Sequence, residues 1–300
     1  MGKFKSGFVT LIGRTNVGKS TLLNALVKEK IAITANKVQT TRTAIKAIIT
    51  KDDYQIIITD TPGIHKPKSK LSETMIDTAF KMFQDVDIIL FLIDATSKDI
   101  GKGDTIILDR IKESKKPCIL LINKIDLVKK ENILNLIEIY SKLYDFESII
   151  PISAFKEEQI EKIVEEILKL LPEGPKYYNE DEYTDQTVRQ ISEEIIREKA
   201  LKFLEDEIPH GIYVEIEDFK FRKNKNGKEL YDINAIIYCQ KDSHKGIIIG
   251  KNGNLLKKIA TYARQDIEKI LDMKVNLKVW VKVKNDWQNM DNIIKKFRLK

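Results

Sequence analysis

The segment Gly13-Arg14-Thr15-Asn16-Val17-Gly18-Lys19-Ser20 has the glycines, the lysine and the hydroxyl of a phosphate-binding loop. An apolar run precedes it and a helical pattern follows, which is the context in which this pattern is specific. Its glycines let backbone N–H groups turn toward phosphate oxygens, and the helix adds the positive end of its dipole. We therefore predict that Lys19 contacts the β- and γ-phosphates of a nucleotide, that the Ser20 hydroxyl ligates Mg²⁺, and that Thr21 belongs to the same site.

A second motif, Asp60-Thr61-Pro62-Gly63, follows a strand-like run downstream of this loop. A carboxylate at this place can hold Mg²⁺ directly or through water, which is the role predicted for Asp60. Gly63 can present its backbone N–H to the γ-phosphate because it has no side chain that would clash. Together with Lys19, Asp60 and Gly63 are candidate catalytic residues.

A third motif, Asn123-Lys124-Ile125-Asp126, ends another apolar run and indicates which base is bound. A carboxylate can accept two hydrogen bonds from the N1–H and amino group of guanine, and adenine lacks this donor pair. A site built around such donors rejects the other base strongly, because its own polar groups would be left unpaired. We predict that Asp126 selects guanine, that the methylenes of Lys124 lie along the ring, and that Ser153-Ala154 directs a backbone N–H toward the guanine O6.

The elements that must position these motifs alternate between strands and helices over residues 1–172. Strands are predicted at 7–12, 44–50, 54–60, 86–94, 117–123 and 148–152, and helices at 19–28, 70–84, 104–113, 133–144 and 157–171. Such alternation indicates an α/β fold with a mostly parallel, six-stranded sheet covered on both faces. The second and third strands are too close for a crossover helix, so we expect a hairpin around Lys51-Asp52-Asp53.

Residues 173–185 are interpreted as a linker, because Leu171-Pro172-Glu173-Gly174-Pro175 stops a helix and a polar, acidic stretch follows. A different order of elements begins at residue 186 and runs to residue 300. It comprises a helix at 187–207, strands at 212–221 and 230–239, an apolar turn at 245–249, a helix at 255–271, a strand at 274–283 and a terminal helix. The sequence Asn224-Lys225-Asn226-Gly227 favours a turn between the first two strands.

Positive charge is concentrated in this second part of the chain. Residues 186–300 hold 24 basic and 17 acidic residues, and residues 241–300 hold 15 and 6. A clustered positive field favours a polyanionic partner, although a solvated lysine-rich surface would give the same count.

The segment Ile249-Gly250-Lys251-Asn252-Gly253 lies between apolar residues and a basic amphipathic helix, and it resembles the signature loop of a KH domain. Two glycines allow a sugar-phosphate backbone to approach closely, and an apolar groove beside such a loop holds roughly four unstacked bases. Lys257 and Lys258 lie one turn into the helix, near the expected phosphate track. The order helix–strand–strand–helix–helix–strand matches the prokaryotic-type KH fold, so we predict an α+β RNA-binding domain. A helix–helix turn without a ligand is the alternative for this loop.

Several other features have simple interpretations. Trp287 could stack on a base, but we expect it to pack in the domain core or at the strand–helix corner. Cys118 and Cys239 lie in apolar runs and are expected to be reduced core thiols. The three histidines show no metal-ligand spacing, no apolar run approaches the roughly 20 residues of a membrane span, and no secretory leader is evident. A cytoplasmic protein is therefore expected.

The three nucleotide motifs occur in the order and spacing of the translation-factor-related P-loop GTPases, which the chain resembles. The resemblance implies that a threonine of Gln39-Thr40-Thr41-Arg42 completes the Mg²⁺ shell and the catalytic group, and we choose Thr41, with Thr40 as the alternative. In Ras-like GTPases a glutamine that orients the attacking water follows Asp-x-x-Gly, whereas Ile64 stands here and cannot hydrogen-bond a water. Intrinsic hydrolysis should therefore be slow.

Families with a hydrophobic residue at that glutamine position and an asparagine at the position of Asn16 bind K⁺ near the β/γ bridge. Our hypothesis from this resemblance is that Asn16 helps to bind K⁺, which would act as an electrostatic substitute for an arginine finger. The alternative is that Asn16 only shapes the loop.

A P-loop GTPase domain (residues 1–172) joined to a single C-terminal KH domain (residues 186–300) is similar, over essentially the whole chain, to the bacterial Era family. The resemblance implies a GTP/GDP switch that binds the 3′ end of small-subunit ribosomal RNA, assists maturation of that subunit and associates peripherally with the inner membrane. Contacts of Thr41 and Gly63 with GTP would order two loops, and hydrolysis would release these loops. The state of the loops would then set whether the RNA groove is open. We expect a monomer.

Four alternatives differ in class. A GTPase of transfer-RNA modification would need a reactive C-terminal cysteine and folate-related domains, and the chain has neither. The double-GTPase ribosome factor would need two phosphate loops, and the chain has one. A plain RNA-binding scaffold with a decayed GTPase half is disfavoured by intact Lys19, Ser20 and Asp60. A GTPase whose basic C-terminal face docks on anionic lipid instead of RNA stays open.

Overall fold

A computed structural model describes residues 3–29, 31–33, 42, 44–64, 67, 69–97, 99–205, 208–223 and 227–297. The described chain divides into two compact units, with the boundary between Asp185 and Gln186. Residues up to Ala32 and from Arg42 to Asp185 form the first unit, and residues from Gln186 to Ile294 form the second.

The first unit is built on a six-stranded sheet, as predicted. Its strands are β1 (Lys5–Ile12), β2 (Ile45–Thr50), β3 (Tyr54–Asp60), β4 (Ile88–Asp94), β5 (Cys118–Asn123) and β6 (Ser148–Pro151). Their order across the sheet is β2-β3-β1-β4-β5-β6. Only the β2–β3 pair is antiparallel among these described strands, which confirms the predicted hairpin and the mostly parallel sheet.

In the described part of the first unit, both faces of this sheet are covered by the helices α1 (Lys19–Val27), α2 (Lys70–Lys81), α3 (Lys102–Ser114), α4 (Lys130–Ser141) and α5 (Ile160–Leu170). Alternate β4 residues enter two separate cores. Leu90 and Leu92 pack in the core that contains α1 and α5, and Phe91 packs in the core that contains α2, α3 and α4. Burial on both faces explains why these strands are continuous apolar runs in the sequence.

The segment from Pro172 to Asp185, called the edge segment below, lies against the first unit instead of forming a free linker. Gln55 of β3 is fully buried, and its side chain accepts hydrogen bonds from the N–H groups of Tyr177 and Tyr178 at 2.7 and 3.0 Å. Farther along, the N–H of Ile48 in β2 donates to the Tyr183 carbonyl at 2.9 Å. Bonds to two strands therefore fix this acidic stretch, which composition alone indicates as a linker.

The second unit contains α6 (Val188–Phe203), β7 (Tyr213–Lys223), β8 (Glu229–Cys239), α7 (Asp242–Ile249), α8 (Asn254–Leu271) and β9 (Lys274–Val283). The last helix, α9 (Asp291–Phe297), belongs to this unit as far as Ile294. In the sheet of this unit, of order β7-β8-β9, β8 pairs antiparallel with β7 and parallel with β9. The order predicted for a KH fold is confirmed. The predicted apolar turn at 245–249 is wrong, because those residues are the last five of the eight in helix α7. Residues 224–226 of the predicted turn lie outside the described residues.

Helices α6 and α8 pack on one face of this second sheet and form its core with residues of all three strands. Trp287 is fully buried, its indole Nε1 donates to the Gly211 carbonyl at 2.9 Å, and its ring lies 4.6 Å from that of Tyr213. The prediction that Trp287 packs in the core is therefore confirmed. Cys118 and Cys239 are buried free thiols, also as predicted. Among the described helices, none is both long and apolar enough to cross a membrane.

Two side chains of α6, one turn apart, hold an irregularity in β7. The register with β8 shifts between Ile216 and Asp218. The Arg189 guanidinium donates to the Ile216 carbonyl, and the Glu193 carboxyl accepts from the Ile216 N–H at 2.8 Å. Burial raises the pKa of Glu193 from 4.5 to about 7, and the bond from the Ile216 N–H opposes this shift. The folded second unit therefore binds a proton at Glu193 more tightly than the unfolded chain does.

We expect the stability of the second unit to fall as the pH rises from about 4.5 to about 7, because the buried Glu193 carboxyl must then ionise. Glu193→Gln keeps an acceptor for Ile216 and removes this cost. At pH 8 the variant should unfold at a higher urea concentration than the parent, because its free energy of unfolding is larger by on the order of 1–3 kcal/mol. At pH 4 the two proteins should unfold at the same urea concentration. Both tryptophans lie in the second unit, so their emission reports it specifically. Equal unfolding midpoints at pH 8 would contradict the expectation.

Candidate functional site

The phosphate-binding loop connects β1, which ends at Ile12, to α1, which begins at Lys19. Gly18 has a φ of 104°, a conformation that side chains with a Cβ rarely adopt. A Cβ on Gly18 would also lie 2.2 Å from Asn123 Nδ2, and one on Gly13 would lie 2.3 Å from the Leu92 carbonyl oxygen. The two glycines are therefore required by the packing of the loop on β4 and on the end of β5.

The Lys19 side chain curls back over this loop. It is buried, and its ammonium donates to the carbonyl oxygens of Gly13 and Arg14 at 3.0 and 2.8 Å. Burial lowers the pKa of Lys19 to about 8, and the Asp60 carboxylate partly opposes this shift. A desolvated cation in a ring of backbone dipoles attracts anions strongly, because low-dielectric surroundings strengthen charge interactions.

Ser20 and Asp60 meet at the start of α1 although they are 40 residues apart. The Ser20 hydroxyl donates to Asp60 Oδ2 at 2.9 Å, and Asp60 is fully buried at the end of β3. The next residue, Thr61, is also fully buried and its hydroxyl donates to the Leu11 carbonyl at 2.8 Å. A hydroxyl and a carboxylate side by side are the hard oxygen ligands that Mg²⁺ prefers.

Gly63 and Ile64 continue from this motif and rest on the phosphate loop. A Cβ on Gly63 would lie 2.8 Å from the Cα of Thr15, so a side chain would not fit here. The Ile64 N–H donates to the Gly13 carbonyl at 3.1 Å. The Ile64 side chain is buried in the core with Ile12 and Phe91. It therefore neither points to solvent nor offers a polar atom to a water molecule.

The side chain of Arg14, which is among the predicted nucleotide-binding residues, is engaged elsewhere. Its guanidinium Nε lies 3.0 Å from Asp104 Oδ2 in α3, and its Nη2 donates to Ser97 Oγ at 2.8 Å. A Cβ on Gly101 would lie 2.6 Å from this guanidinium. The backbone of Arg14 forms part of the loop, whereas its side chain ties the loop to the start of α3. No local motif indicates this partnership, because Asp104 is 90 residues away.

Asn123 joins the phosphate loop to the last loop of the site. Its Nδ2 donates to the Val17 carbonyl at 2.8 Å, and its Oδ1 accepts from the Ala154 N–H at 2.9 Å. The Ala154 N–H, one of the two predicted to face guanine O6, is thus bonded to Asn123. The Ser153 N–H donates to the Glu158 carbonyl at 3.3 Å. In the structure both N–H groups stabilise the protein itself.

Lys124 and Asp126 follow at the carboxyl end of β5. Lys124 adopts a left-handed conformation with a φ of 67°, and its ammonium lies 2.6 Å from Asp94 Oδ2. Asp126 Oδ1 accepts from the Ser153 hydroxyl at 2.7 Å. The sequence motifs do not include Asp94, although it ends β4 opposite Asn123 in the register and the carboxyl ends of adjacent parallel strands lie together. The hydrogen bond from Ser153 fixes the orientation of the Asp126 carboxylate.

Thr41, its alternative Thr40, and Gln39 lie outside the described residues. Asn16 is described and has a φ of 63°. Thus the structure forms two groups of predicted site residues on either side of Asn123. One group contains Lys19, Ser20, Asp60 and Gly63, and the other contains Lys124, Asp126, Ser153 and Ala154.

The loop predicted to bind RNA connects α7 to α8. Gly250 and Gly253 have φ values of 72° and 75°, and Asn252 between them has a φ of 54°. A Cβ on Gly250 would lie 2.7 Å from that of Leu255, whereas a Cβ on Gly253 would meet nothing within 4 Å. Gly250 is therefore needed for packing against α8, and Gly253 leaves open space for a ligand's backbone.

The basic side chains near this loop differ in their surroundings. Lys251 and Lys257 are exposed. The ammonium of Lys258 lies over the ring of Phe203 in α6, 4.4 Å from its centre. Lys258 therefore has an aromatic partner on the α6 side of the helix, whereas Ile249 is partly buried beside the loop.

The fold and the site define a P-loop GTPase joined to a KH domain. The family model for a 50S ribosome-binding GTPase matches residues 8–124, and the KH-domain model matches residues 207–288. The chain belongs to the family of the GTPase Era. It is 53% identical over 293 residues to GTPase Era of Caldanaerobacter subterraneus subsp. tengcongensis, covering 98% of this chain and 97% of that one. GTPase Era of Clostridium kluyveri is 52% identical over 296 residues, covering 99% of each chain.

Two solved structures are similar over the whole length. A crystal structure of Era in complex with MgGDPNP and nucleotides 1506–1542 of 16S ribosomal RNA has a TM-score of 0.93 and 39% identity, covering 98% of each chain. An Aquifex aeolicus Era variant bound to GDP·AlF₄⁻ has a TM-score of 0.92 and 39% identity, covering 98% of this chain and 99% of that one. The predicted family and fold are thereby confirmed.

Proposed function

We propose that the protein is a GTP-hydrolysing switch that binds the 3′ end of small-subunit ribosomal RNA through its KH domain and assists maturation of that subunit. The observation that carries this proposal is the whole-chain likeness to the Era complex with MgGDPNP and 16S RNA. The Ser20–Asp60 and Ser153–Asp126 hydrogen bonds of the described nucleotide motifs support it. The matched family model is described as 50S ribosome-binding. It covers only part of the first unit, so the full-length match supports the small subunit better.

The residues present fit Mg²⁺ and a triphosphate. Ser20 and Asp60 present a hydroxyl and a carboxylate within 2.9 Å of each other and would hold the ion, with Thr41 as the further ligand predicted from the family. When bound, Mg²⁺ would neutralise charge that develops on the phosphate oxygens. Lys19 would move from the Gly13 and Arg14 carbonyls to the phosphates, and the Gly63 N–H would donate to the γ-phosphate.

Guanine selection is assigned to Asp126. The Ser153 hydroxyl holds its carboxylate in place, so little reorganisation is needed when the base binds. The Lys124 side chain, anchored on Asp94, would lie along one face of the ring. GDP would use the same contacts, without those to the γ-phosphate.

K⁺ is proposed as a further activator, through Asn16. Because Asn16 has a positive φ, Asn16→Gly removes its side chain without backbone strain. We expect GTP hydrolysis by the parent to be about tenfold faster in KCl than in NaCl, since a cation near the β/γ bridge would stabilise developing charge. The Asn16→Gly variant should show equal rates in the two salts. Equal rates in the parent protein would refute the proposal.

The RNA-binding half of the proposal is tested at Gly253. Gly253→Asp places a carboxylate in the open space beside the loop and should weaken binding of a ribosomal 3′-end oligonucleotide by at least about tenfold, because it repels the phosphate backbone. Gly227 is a matched control, since it has a φ of 73° and likewise nothing within 4 Å of a Cβ. Gly227→Asp should bind RNA as the parent does. Equal losses in the two variants, or none in either, would argue against this site.

The same titration, made with GDP and with a non-hydrolysable GTP analogue, tests the switch. A difference in RNA affinity between the two nucleotides is expected, and equal affinities would remove the switch from the proposal. Cytoplasmic location with peripheral attachment to the inner membrane, and the monomeric state, stay predictions from the family resemblance.

A further inference from the structure

Strand β9 carries two different rows of side chains. Val275 and Val281 pack in the core beneath α6 and α8, with the partly buried Leu277, Val279 and Val283. The alternate residues are all exposed and, by strand alternation, start from the other face of the sheet. We call them the β9 outer row: Lys274, Asn276, Lys278, Trp280 and Lys282. The ammonium of Lys274, at the start of the strand, reaches back toward Glu268 of α8. Because β9 is an edge strand of its sheet, this row borders open solvent.

Trp280 is the prominent member of the row. It is 59% exposed, whereas Trp287 is fully buried. Its register partner on β8, Ile236, is fully buried although it faces the same side of the sheet. An indole exposed to this extent over a covered apolar residue offers a flat stacking surface. A base can stack on such a surface whatever its sequence, since every base has a π-face.

The lysines of the row are placed on both sides of this indole. Lys278 and Lys282 lie two residues before and after Trp280 on the same face, and Lys274 lies farther along. The Lys282 ammonium is 3.3 Å from the Glu217 carboxylate, and the Lys274 ammonium is 3.8 Å from the Glu268 carboxylate. The side chains of Lys282, Glu217 and Lys274 are at least half exposed, whereas that of Glu268 is not. Exposed ion pairs contribute little to stability. These lysines can therefore exchange their carboxylates for phosphates at small cost.

We propose that the β9 outer row is a second RNA-contacting surface, which binds a single-stranded segment by stacking one base on Trp280 and placing neighbouring phosphates against Lys278 and Lys282. This inference rests on the proposed RNA-binding function. It concerns a different surface from the Gly250–Gly253 loop. That loop joins two helices whose residues Ile248 and Ile259 enter the core, whereas the row faces away from that core.

The charge pattern favours RNA over an anionic membrane as the occupant. The same face of the sheet carries the carboxylates of Asp218 on β7 and Asp232 on β8, which share a register with Asn234 and Asn276. A negatively charged lipid plane would meet these carboxylates as well as the lysines. The basic side chains of β7 on this face, Lys220 and Arg222, are paired with these carboxylates. A single strand of nucleic acid can follow the lysines of β9 along the edge and avoid the carboxylates. The row also has only one large apolar side chain, too little to insert into a bilayer.

The experiment uses the intrinsic emission of the full-length protein. The chain has two tryptophans and one of them is fully buried, so emission that RNA quenches by stacking belongs to Trp280. We expect a 12-nucleotide oligouridylate to quench the emission of both the parent and the Gly253→Asp variant. The double variant Gly253→Asp/Trp280→Ala lacks the reporting indole, so its binding is measured by the anisotropy of a fluorescein-labelled copy of the RNA. Adding Trp280→Ala to Gly253→Asp should weaken binding about tenfold. Trp280→Phe should lie between the two, because a smaller ring still stacks.

Lys278→Ala should lower the slope of log affinity against log salt by about 0.7, as expected for one lost phosphate contact on a single strand. Trp280 and Lys278 are exposed, so these variants should remain folded, and a cooperative urea unfolding transition checks that they do.

Three results would overturn the inference: no quenching of the parent, quenching that disappears with Gly253→Asp alone, or quenching by vesicles containing phosphatidylglycerol but not by RNA. None of them decides the proposed function, which depends on the loss of ribosomal 3′-end RNA binding in Gly253→Asp.

Discussion

Asp126→Asn is expected to convert the protein from a guanine to a xanthine nucleotide binder. An amide cannot accept hydrogen bonds from both the N1–H and the amino group of guanine, because one of its two polar atoms is a donor. Xanthine carries a carbonyl in place of that amino group, so the amide can pair with it. We expect GTP affinity to fall by about 10³-fold or more, and the affinity for xanthosine triphosphate to rise above that for GTP.

The measurement is calorimetric titration of the purified variant with each triphosphate and with ATP, in the presence of Mg²⁺. Asp109→Asn, on an exposed position of α3, is the matched control and should leave the preference for GTP unchanged. Recovered binding of the xanthine nucleotide shows that the variant is folded, since the amide oxygen introduced at position 126 could still accept the bond from Ser153. Undiminished GTP binding by Asp126→Asn would show that another residue selects the base.

The second large effect is expected at Lys19. Lys19→Ala removes the buried ammonium that is held over the Gly13 and Arg14 carbonyls. Because this charge would stabilise the negative charge developing on the phosphates, we expect the rate of GTP hydrolysis to fall by about 10³-fold. The fold should persist, since the change removes a desolvated charge and leaves the core residues of α1 in place.

Phosphate release under saturating GTP is the assay, and Lys112→Ala supplies the control, as an exposed lysine in the last turn of α3. Its rate should equal that of the parent. A Lys19→Ala rate within threefold of the parent would mean that this side chain does not stabilise the charge developing on the phosphates.

How far the sequence predicts this site depends on whether its contacts are local. The loop from Gly13 to Ser20 is predictable because its glycines and its lysine have one known geometric use, and the strand and helix around it follow from apolar periodicity. The partners of Arg14 are not predictable in this way. Asp104 lies 90 residues away, and a single sequence gives no signal that an arginine in a phosphate loop will turn toward α3.

The elements of the second unit show a similar difference. Helix α8 and the three strands have clear periodicity, and their predicted bounds agree with the structure to within a few residues. Helix α7 is predicted as a turn because it has only eight residues and begins with the polar Asp242. Short helices gain little from their own hydrogen bonds, so tertiary packing decides whether they form. Packing of Ile248 into the core supplies that stabilisation.

The edge segment has a consequence for dividing the protein into fragments. β2 is the outermost strand of its sheet, and an uncovered outer strand offers unpaired N–H and C=O groups to another molecule. Tyr183 covers part of this strand by accepting from Ile48. An isolated first unit that ends at Pro172 would lose this protection and self-associate through β2. An isolated first unit that extends to Asp185 would keep the protection. The acidic stretch thus shields the sheet against aggregation.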